Sequence, residues 1–318
     1  MTTVYFANDE DCTLQSIGNS AFNGCTSLEN MYLRSSVKTL GNNAFNGCSG
    51  LSYISLNSVE SIGDYCFTNC TSLRDISIPD TLTTFGTSPF KGSGLESFYV
   101  SNTMTEIPAS LLEGCASLDS VSLGNNITTI GNNAFKDCTA LTSLNIPDSV
   151  LTMGNGVFDG SGITTLMLPE SVTSIGQNFC NGCASLTYLA MDETSITEIP
   201  NSAFKNCTSL EDVFLPATVT SIDQRAFYNC SNLSMIDLPA GLASIGQQSF
   251  CSTGLTSITI PASVTLIESQ AFYSSNNLAS ATFENTTGWK NNSNQTVDVS
   301  VPSNNVSLVK NGLLTRSD

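Results

Sequence analysis

The cysteines are the residues of this chain whose chemistry must be decided first. Twelve are present, and eight recur at equivalent places, about 23 residues or a multiple of that apart: Cys25, Cys48, Cys70, Cys115, Cys138, Cys183, Cys207 and Cys230. Many cysteines indicate a disulfide scaffold in short chains that cannot build a core, but this chain can. Side chains on neighbouring rungs stand about 5 Å apart and parallel, whereas a disulfide needs facing Cβ atoms about 3.8 Å apart. The pattern predicts free, buried thiols.

The other cysteines, Cys12, Cys66, Cys180 and Cys251, lie outside this series. Cys180 and Cys183 form a single C-x-x-C pair. A four-thiolate zinc site needs two such pairs, and a redox dithiol needs a thioredoxin-like context that is absent here. We therefore predict no metal site and no cofactor.

Catalytic machinery is scarce. The chain has no histidine, which removes Ser-His-Asp and Cys-His arrangements and every histidine-ligated metal. The glycine-rich segment 41–47 lacks the lysine of a phosphate-binding loop. Carboxylates such as Glu198 and Asp223 are expected to be solvated surface groups. The sequence predicts a protein that is not an enzyme, with no catalytic residues.

A repeat runs through almost the whole chain and must position these side chains. Its units begin at Leu28, Leu51, Leu73, Leu95, Leu118, Leu141, Ile163, Leu186, Leu210, Leu233, Leu255 and Leu278, with spacings of 22–24 residues. The unit 210–232 reads LEDVFLPATVTSIDQRAFYNCSN. A fixed period that reuses one apolar set predicts a stacked solenoid, in which each unit buries its face against its neighbours.

Each unit translates into local structure. The alternation in L-x-x-I-x-I predicts a strand, and neighbouring units should pair in parallel about 4.8 Å apart. A proline such as Pro147 or Pro216 then ends the strand. The I-G glycines, for example Gly41 and Gly63, are expected to adopt a backbone conformation that other residues avoid. The A-F-x-x-C segment predicts a helical turn whose Phe fills the core.

The repeat resembles the BspA-like, or Treponema-type, leucine-rich repeat. Hallmark positions are occupied by Ile146-Pro147, Val172, Ile175-Gly176, Ala226-Phe227 and Cys230. The resemblance covers roughly residues 1–283 and implies an α/β solenoid: a right-handed, curved leucine-rich-repeat superhelix with one long parallel β-sheet and short helical turns. It also implies surface adhesion or protein recognition, a cell-surface or secreted location, and a partner that is a host or cell-surface component.

The domain organisation follows from the repeat. We predict one solenoid over 1–283, with about twelve units and a partial N-terminal unit, followed by a C-terminal cap and loose tail over 284–318. Trp289 and the alternating valines Val297, Val299 and Val301 should cover the last unit.

The N-terminus shows neither a cap nor a signal peptide. Val4 and Phe6 already fit strand positions, so the chain is either a piece of a longer protein or covered at this end by another subunit. The first residues lack the basic start and hydrophobic segment of a signal peptide. Oligomeric state is left open.

Net charge and hydropathy limit the classes of molecule that this chain is expected to bind. With 10 Lys+Arg against 27 Asp+Glu the net charge is −17, which opposes binding to nucleic acid. No apolar run approaches the roughly 20 residues of a membrane helix, which predicts no membrane insertion. The expected partner is a protein.

Two clusters of large side chains interrupt the polar outward strand positions. One contains Tyr5, Tyr32 and Tyr53; the other contains Met167, Tyr188, Phe214 and Met235, with acidic neighbours that predict a charged rim favouring a basic partner. Exposed aromatic and Met side chains are typical of protein-binding hot spots, although outward aromatics also favour cross-strand packing. We predict a non-catalytic recognition module that uses its strand-lined face. The alternatives are a structural spacer or appendage module and a carbohydrate-binding surface on which the tyrosines stack.

Overall fold

The computed structural model describes residues 2–5 and 14–316. By internal contacts the chain forms two compact units, Met1–Val150 (unit 1) and Leu151–Asp318 (unit 2). Each unit is a parallel β-solenoid built from the repeat, as predicted. Phe6 and Cys12 lie outside the described residues. The division at 283/284 stays a prediction.

The L-x-x-I-x-I segments of unit 1 form the first ladder of strands, whose bounds are β1 Thr3–Tyr5, β3 Asn30–Tyr32, β5 Tyr53–Ser55, β8 Ser97–Tyr99 and β10 Ser120–Ser122. They pair in parallel as β1-β3-β5 and as β8-β10. Val4, Met31 and Ile54 stand in register and are buried. The alternation of apolar and polar residues therefore sets which face is inside, because successive strand side chains point to opposite faces.

A second ladder, which the sequence analysis did not predict, uses the V-x-x-I segments. In unit 1 its strands are β2 Ser16–Ile17, β4 Thr39–Leu40, β6 Ser61–Ile62, β7 Thr84–Phe85, β9 Glu106–Ile107 and β11 Thr129–Ile130. They pair in parallel as β2-β4-β6-β7 and as β9-β11. The expected single long sheet is thus replaced by several short parallel sheets on two faces of the repeat.

Unit 2 repeats this arrangement. Its first ladder contains β13 Thr165–Met167, β15 Tyr188–Ala190, β17 Asp212–Phe214, β20 Ser257–Ile260 and β22 Ser280–Phe283. Its second ladder contains β12 Thr152–Met153, β14 Ser174–Ile175, β16 Glu198–Ile199, β18 Ser221–Ile222, β19 Ser244–Ile245 and β21 Leu266–Ile267. Strands β13-β15-β17, β20-β22, β12-β14 and β16-β18-β19-β21 are parallel neighbours.

The A-F-x-x-C segments are hydrogen-bonded turns, and the prediction of helical turns there was wrong in detail. The residue before the segment and its fourth residue adopt positive φ, for example Asn43 at 56° and Gly47 at 71°, which a right-handed helix does not allow. The N–H groups reach the next repeat instead: Phe45 donates to the carbonyl of Cys66 at 2.9 Å and Gly47 to that of Thr68 at 2.8 Å. The N–H groups between them bond within the turn, as Asn46 does to the carbonyl of Asn43 at 3.2 Å. The backbone is therefore satisfied partly by the next repeat and partly by short turns rather than by a helix.

The I-G glycines serve a different purpose from the predicted one. Gly41 and Gly63 are not among the positive-φ residues. A Cβ placed on Gly41 would stand 2.7 Å from the backbone N of Asn19, and one on Gly63 would stand 2.6 Å from that of Asn42. Glycine is required here because consecutive repeats approach too closely for a side chain.

A column of phenylalanines forms the centre of each unit. In unit 1 the rings of Phe22, Phe45, Phe67 and Phe90 stack with centroids 5.2–5.5 Å apart. In unit 2 the rings of Phe204, Phe227, Phe250 and Phe272 stack at 5.1–5.4 Å. The prediction that this Phe fills the core is confirmed, since all of these rings except the half-buried Phe22 are fully buried.

The segment 284–316 closes the second ladder of unit 2. Its elements are β23 Trp289–Lys290, α1 Pro302–Asn311 and β24 Leu314–Arg316, and β24 pairs antiparallel with both β21 and β23. Trp289 is buried edge-on against Phe283, with ring centroids 5.0 Å apart. Val299 is also buried, whereas Val301 is exposed.

The tail that was expected to be loose is instead a helix and a strand. Its apolar residues Val309 and Leu314 are buried, and α1 packs against β22. Within 2–5 and 14–316, no helix combines the length and apolar character needed to cross a bilayer.

Candidate recognition surface

The tyrosine cluster, Tyr5, Tyr32 and Tyr53, lies on the outward face of β1, β3 and β5. Tyr5 and Tyr32 are in register, and their rings stack with centroids 4.8 Å apart and planes within 5°. Tyr53 occupies the neighbouring column, in register with Asn30, and its ring is tilted 5.3 Å from that of Tyr32. The three side chains are exposed. They therefore lie together on the outward face of the strands, where the alternation of residues predicted them.

The second group, called here the apolar patch, comprises Met167, Tyr188, Phe214 and Met235. Met167 and Phe214 share one outward column, in which Ala190 stands between them. Tyr188 belongs to the other outward column, and its ring lies 5.5 Å from that of Phe214 at a tilt of 46°. The patch is therefore a zigzag across neighbouring strands, in which Tyr188 and Phe214 are in direct contact.

Exposure of this patch is unusually high for apolar side chains. Met167 is 64% exposed, Phe214 45% and Met235 70%. Each Å² of apolar surface left in water forgoes about 25 cal/mol that burial against a partner would recover. Because the parallel ladder already holds the backbone in place, few backbone degrees of freedom would be lost on binding.

A concavity lies between Phe214 and Met235. Its volume is about 290 Å³, and Val213, Leu215 and Ile236 line its inner part. Four carboxylate residues also line it: Asp192, Glu211, Asp212 and Asp237. An apolar floor bounded by carboxylates can hold a group with an apolar body and a positively charged end.

Two further concavities adjoin the first, and Met235 lines all three. One of them reaches Glu284, with Ser257 and Thr259 on its wall. Glu284 was not among the residues predicted for this face, because it was assigned to the cap. The exposed Tyr99 of β8 was not predicted either, although the same period-2 rule identifies its position.

The cysteine column is structural, as predicted, but its sulfur atoms also make hydrogen bonds. The thiol of Cys70 donates to the Phe45 carbonyl at 3.2 Å, and that of Cys230 to the Phe204 carbonyl at 3.1 Å. At the equivalent position Ser275 donates its hydroxyl to the Phe250 carbonyl at 2.8 Å. The position therefore selects a small side chain with a hydrogen to donate, because the buried carbonyl would otherwise lose this partner.

The described cysteines are free thiols, and all of them except Cys25 are buried. The prediction of free, buried thiols was therefore wrong for the burial of Cys25, whose repeat lies near the N-terminal end of unit 1. Burial raises the pKa of Cys48 and of Cys115 to about 11 and holds that of Cys180 well above its ordinary value. Thiolates are the reactive form, so these groups are inert near neutral pH. Within the described residues no cluster of three or more His, Cys, Asp or Glu side chains is arranged for a metal ion.

Cys180 replaces a core phenylalanine rather than forming a redox pair. The repeat that contains it moves its aromatic ring one residue earlier, to Phe179. This ring meets Phe158 edge-on at 5.5 Å and Phe204 at 6.2 Å. The core column is thereby continued by edge contacts, which aromatic rings favour as well as offset stacking.

Thiol labelling under native conditions should distinguish Cys25 from the rest of the column. Cys25 is exposed, whereas its equivalents are buried. We expect iodoacetamide to modify Cys25 in the folded protein and to modify Cys48 and Cys230 only after denaturation, as mapped by peptide mass spectrometry. Rung-to-rung disulfides in the non-reduced digest, or equal native labelling of Cys25 and Cys230, would contradict this assignment.

The carboxylates Glu198 and Asp223 lie close together near the end of β16. Burial and the nearby Asp223 carboxylate raise the pKa of Glu198. Neighbouring like charges repel one another, so the pair lowers the stability of the folded protein when both groups are ionised. Glu198 is exposed and Asp223 half-buried, as expected of surface groups.

The comparisons with known proteins agree with the repeat and its geometry. The profile of the BspA-type leucine-rich repeat region matches residues 7–119, 105–200 and 197–300. The chain belongs to this family. Leucine-rich repeat proteins of this kind generally serve in protein recognition or surface adhesion, and they are generally non-catalytic binding modules.

Solved structures show the same fold. A leucine-rich repeat protein from Bacteroides ovatus is 26% identical, with a TM-score of 0.61, over 88% of this chain and 86% of that one. A leucine-rich cell surface protein from Faecalibacterium prausnitzii is 21% identical, with a TM-score of 0.52, over 90% and 88%. Among curated proteins the search found no match.

Proposed function

We propose that the protein is a non-catalytic recognition module that binds another protein through the strand-lined face of unit 2. The observation that carries this proposal is the apolar patch, in which Met167 on β13, Phe214 on β17 and Met235 in the following repeat are exposed. Patches of this kind on rigid elements mark interaction sites. An adhesin-like role at a cell surface fits the general use of the family.

The patch has the composition of a binding hot spot. Tyr188 and Phe214 form an aromatic pair at 5.5 Å, and aromatic anchors carry most of the affinity of typical interfaces. Met235 adds a polarizable side chain that adapts to different partner shapes. A spacer module, whose function depends on its length, has no use for an exposed Phe. Outward positions of a spacer would carry Ser, Thr or Asn, as most outward positions of the other repeats do.

Replacing Tyr188 and Phe214 together by serine should weaken binding by more than about 2 kcal/mol, the hot-spot scale. The intact chain is first used to select binders from a displayed library of folded protein domains. Dissociation constants are then measured for the original and the double variant. Folding should be preserved, because both side chains are on the outward face.

The matched control is Tyr99→Ser, which removes an exposed aromatic ring from β8 of unit 1 and should leave affinity unchanged. If the double variant binds as tightly as the original chain, the apolar patch is rejected as the site. Weaker binding of the Tyr32→Ser variant would then assign recognition to the tyrosine cluster. Unchanged binding in both the double variant and Tyr32→Ser would favour the spacer function.

A further inference from the structure

We propose that the concavity between Phe214 and Met235 receives an arginine side chain from an extended basic segment of the partner protein. This inference rests on the proposed function and names the chemistry of the partner. The concavity is called the acidic groove below and is defined by Phe214, Met235 and the carboxylates of Asp192, Glu211, Asp212 and Asp237.

The charge of the acidic groove is uncompensated. Four of its nine lining residues are acidic, and none is a lysine or arginine. Elsewhere in the described residues some carboxylates are paired between repeats, as in the Lys38–Glu60 ion pair at 3.0 Å and the Lys91–Glu113 ion pair at 2.8 Å. Within the described residues the carboxylates of Asp212 and Asp237 make no such bond. Four adjacent negative charges attract a cationic group and repel an acidic one.

The apolar floor selects the kind of cation. The side chains of Phe214 and Met235 border the groove, and both are exposed. An arginine side chain can place its aliphatic stem on Met235 and its planar guanidinium over the Phe214 ring, where it gains a cation–π contact. Its five N–H donors also match carboxylates on two sides, which the compact ammonium of lysine does less well.

The surroundings of the groove favour an extended segment over a single free cation. Met235 lines the two adjoining concavities as well, and carboxylates border the three concavities from Asp192 to Glu284, except in the repeat that begins at Leu255. These two residues belong to repeats that are four rungs apart, which corresponds to about 19 Å at a rung spacing of about 4.8 Å. An extended peptide of roughly six residues spans that distance.

The test uses a displayed library of random linear peptides, selected on the intact chain. We expect the selected sequences to be enriched in arginine over lysine. A synthetic peptide of the selected sequence should bind the variant Asp212→Asn/Asp237→Asn about tenfold more weakly, because two local charges and their hydrogen bonds are lost. Replacing its arginine by citrulline, which keeps the shape and removes the charge, should weaken binding to a similar extent.

The matched control removes the same net charge from unit 1, in the variant Asp75→Asn/Asp119→Asn. Both residues are exposed: Asp75 lies at an outward position of its repeat, and Asp119 directly precedes β10. If only overall charge mattered, this control would weaken binding as much as the change in the groove does. The proposal expects a small effect from the control and a large one from the groove variant.

The outcomes separate this inference from the proposed function. Selected peptides that lack arginine enrichment, but lose binding in the Tyr188→Ser/Phe214→Ser variant, would overturn the arginine groove and leave the recognition face in place. Arginine-rich peptides that bind the groove variant as tightly as the original chain would also overturn it. Peptides whose binding is insensitive to all three double variants would contradict both proposals.

Discussion

Replacing Phe227 by alanine is expected to lower the free energy of unfolding by about 3–5 kcal/mol, the usual cost of deleting a buried aromatic ring. The Phe227 ring is fully buried and stacks between those of Phe204 and Phe250, with centroids 5.4 Å from each. The substitution removes two ring contacts and leaves a cavity that the parallel ladder cannot close by shifting one repeat. Urea denaturation followed by circular dichroism measures the loss.

The control for this change is Tyr273→Ala, which removes an aromatic ring of similar size that is exposed. Its expected effect is within about 0.5 kcal/mol. Native hydrogen exchange should show that the Phe227→Ala damage is concentrated in the adjoining repeats, because each repeat contacts only its neighbours. Equal losses in the two variants would mean that the assignment of inner and outer faces is wrong.

Replacing Asn305 by aspartate is expected to cost about 3–5 kcal/mol near neutral pH, the scale of an uncompensated buried charge. The Asn305 side chain is fully buried, and its Nδ2 donates to the carbonyls of Ala281 and Val299, each at 2.8 Å. An aspartate has almost the same size but turns a carboxylate oxygen towards two carbonyl oxygens, with no donor between them.

The same substitution has a defined pH dependence. Burial beside two acceptors raises the pKa of the introduced carboxyl, so the protonated form is favoured in the folded state. The penalty should therefore shrink as pH falls towards the unfolded-state pKa of about 3.9 and grow as pH rises above it. Asn304→Asp, at an exposed position of the same helix, is the control and should change stability by less than about 0.5 kcal/mol. A pH-independent loss would contradict this account of Asn305.

Much of the candidate site could be predicted from the repeat alone. Period-2 alternation placed Tyr32, Tyr188 and Phe214 on the outward face, because a strand sends successive side chains to opposite sides. It could not show that Ala190 separates Met167 from Phe214 in their column, because that depends on the register between repeats. Nor could it show the groove beside Met235, whose walls come from several repeats.

The sequence by itself determined the period, the inner and outer faces, the Phe column and the free thiols. Each of these depends on residue type at a fixed place in one repeat, and identical neighbours convert that place into a column. Only the tertiary structure decided the second ladder, the role of Gly41 and the turns at Asn43. These depend on how closely one repeat approaches the next. Alternate N–H groups of the turn after Asn43 donate to carbonyls of the neighbouring repeat, and a Cβ at Gly41 would stand too close to the backbone of Asn19.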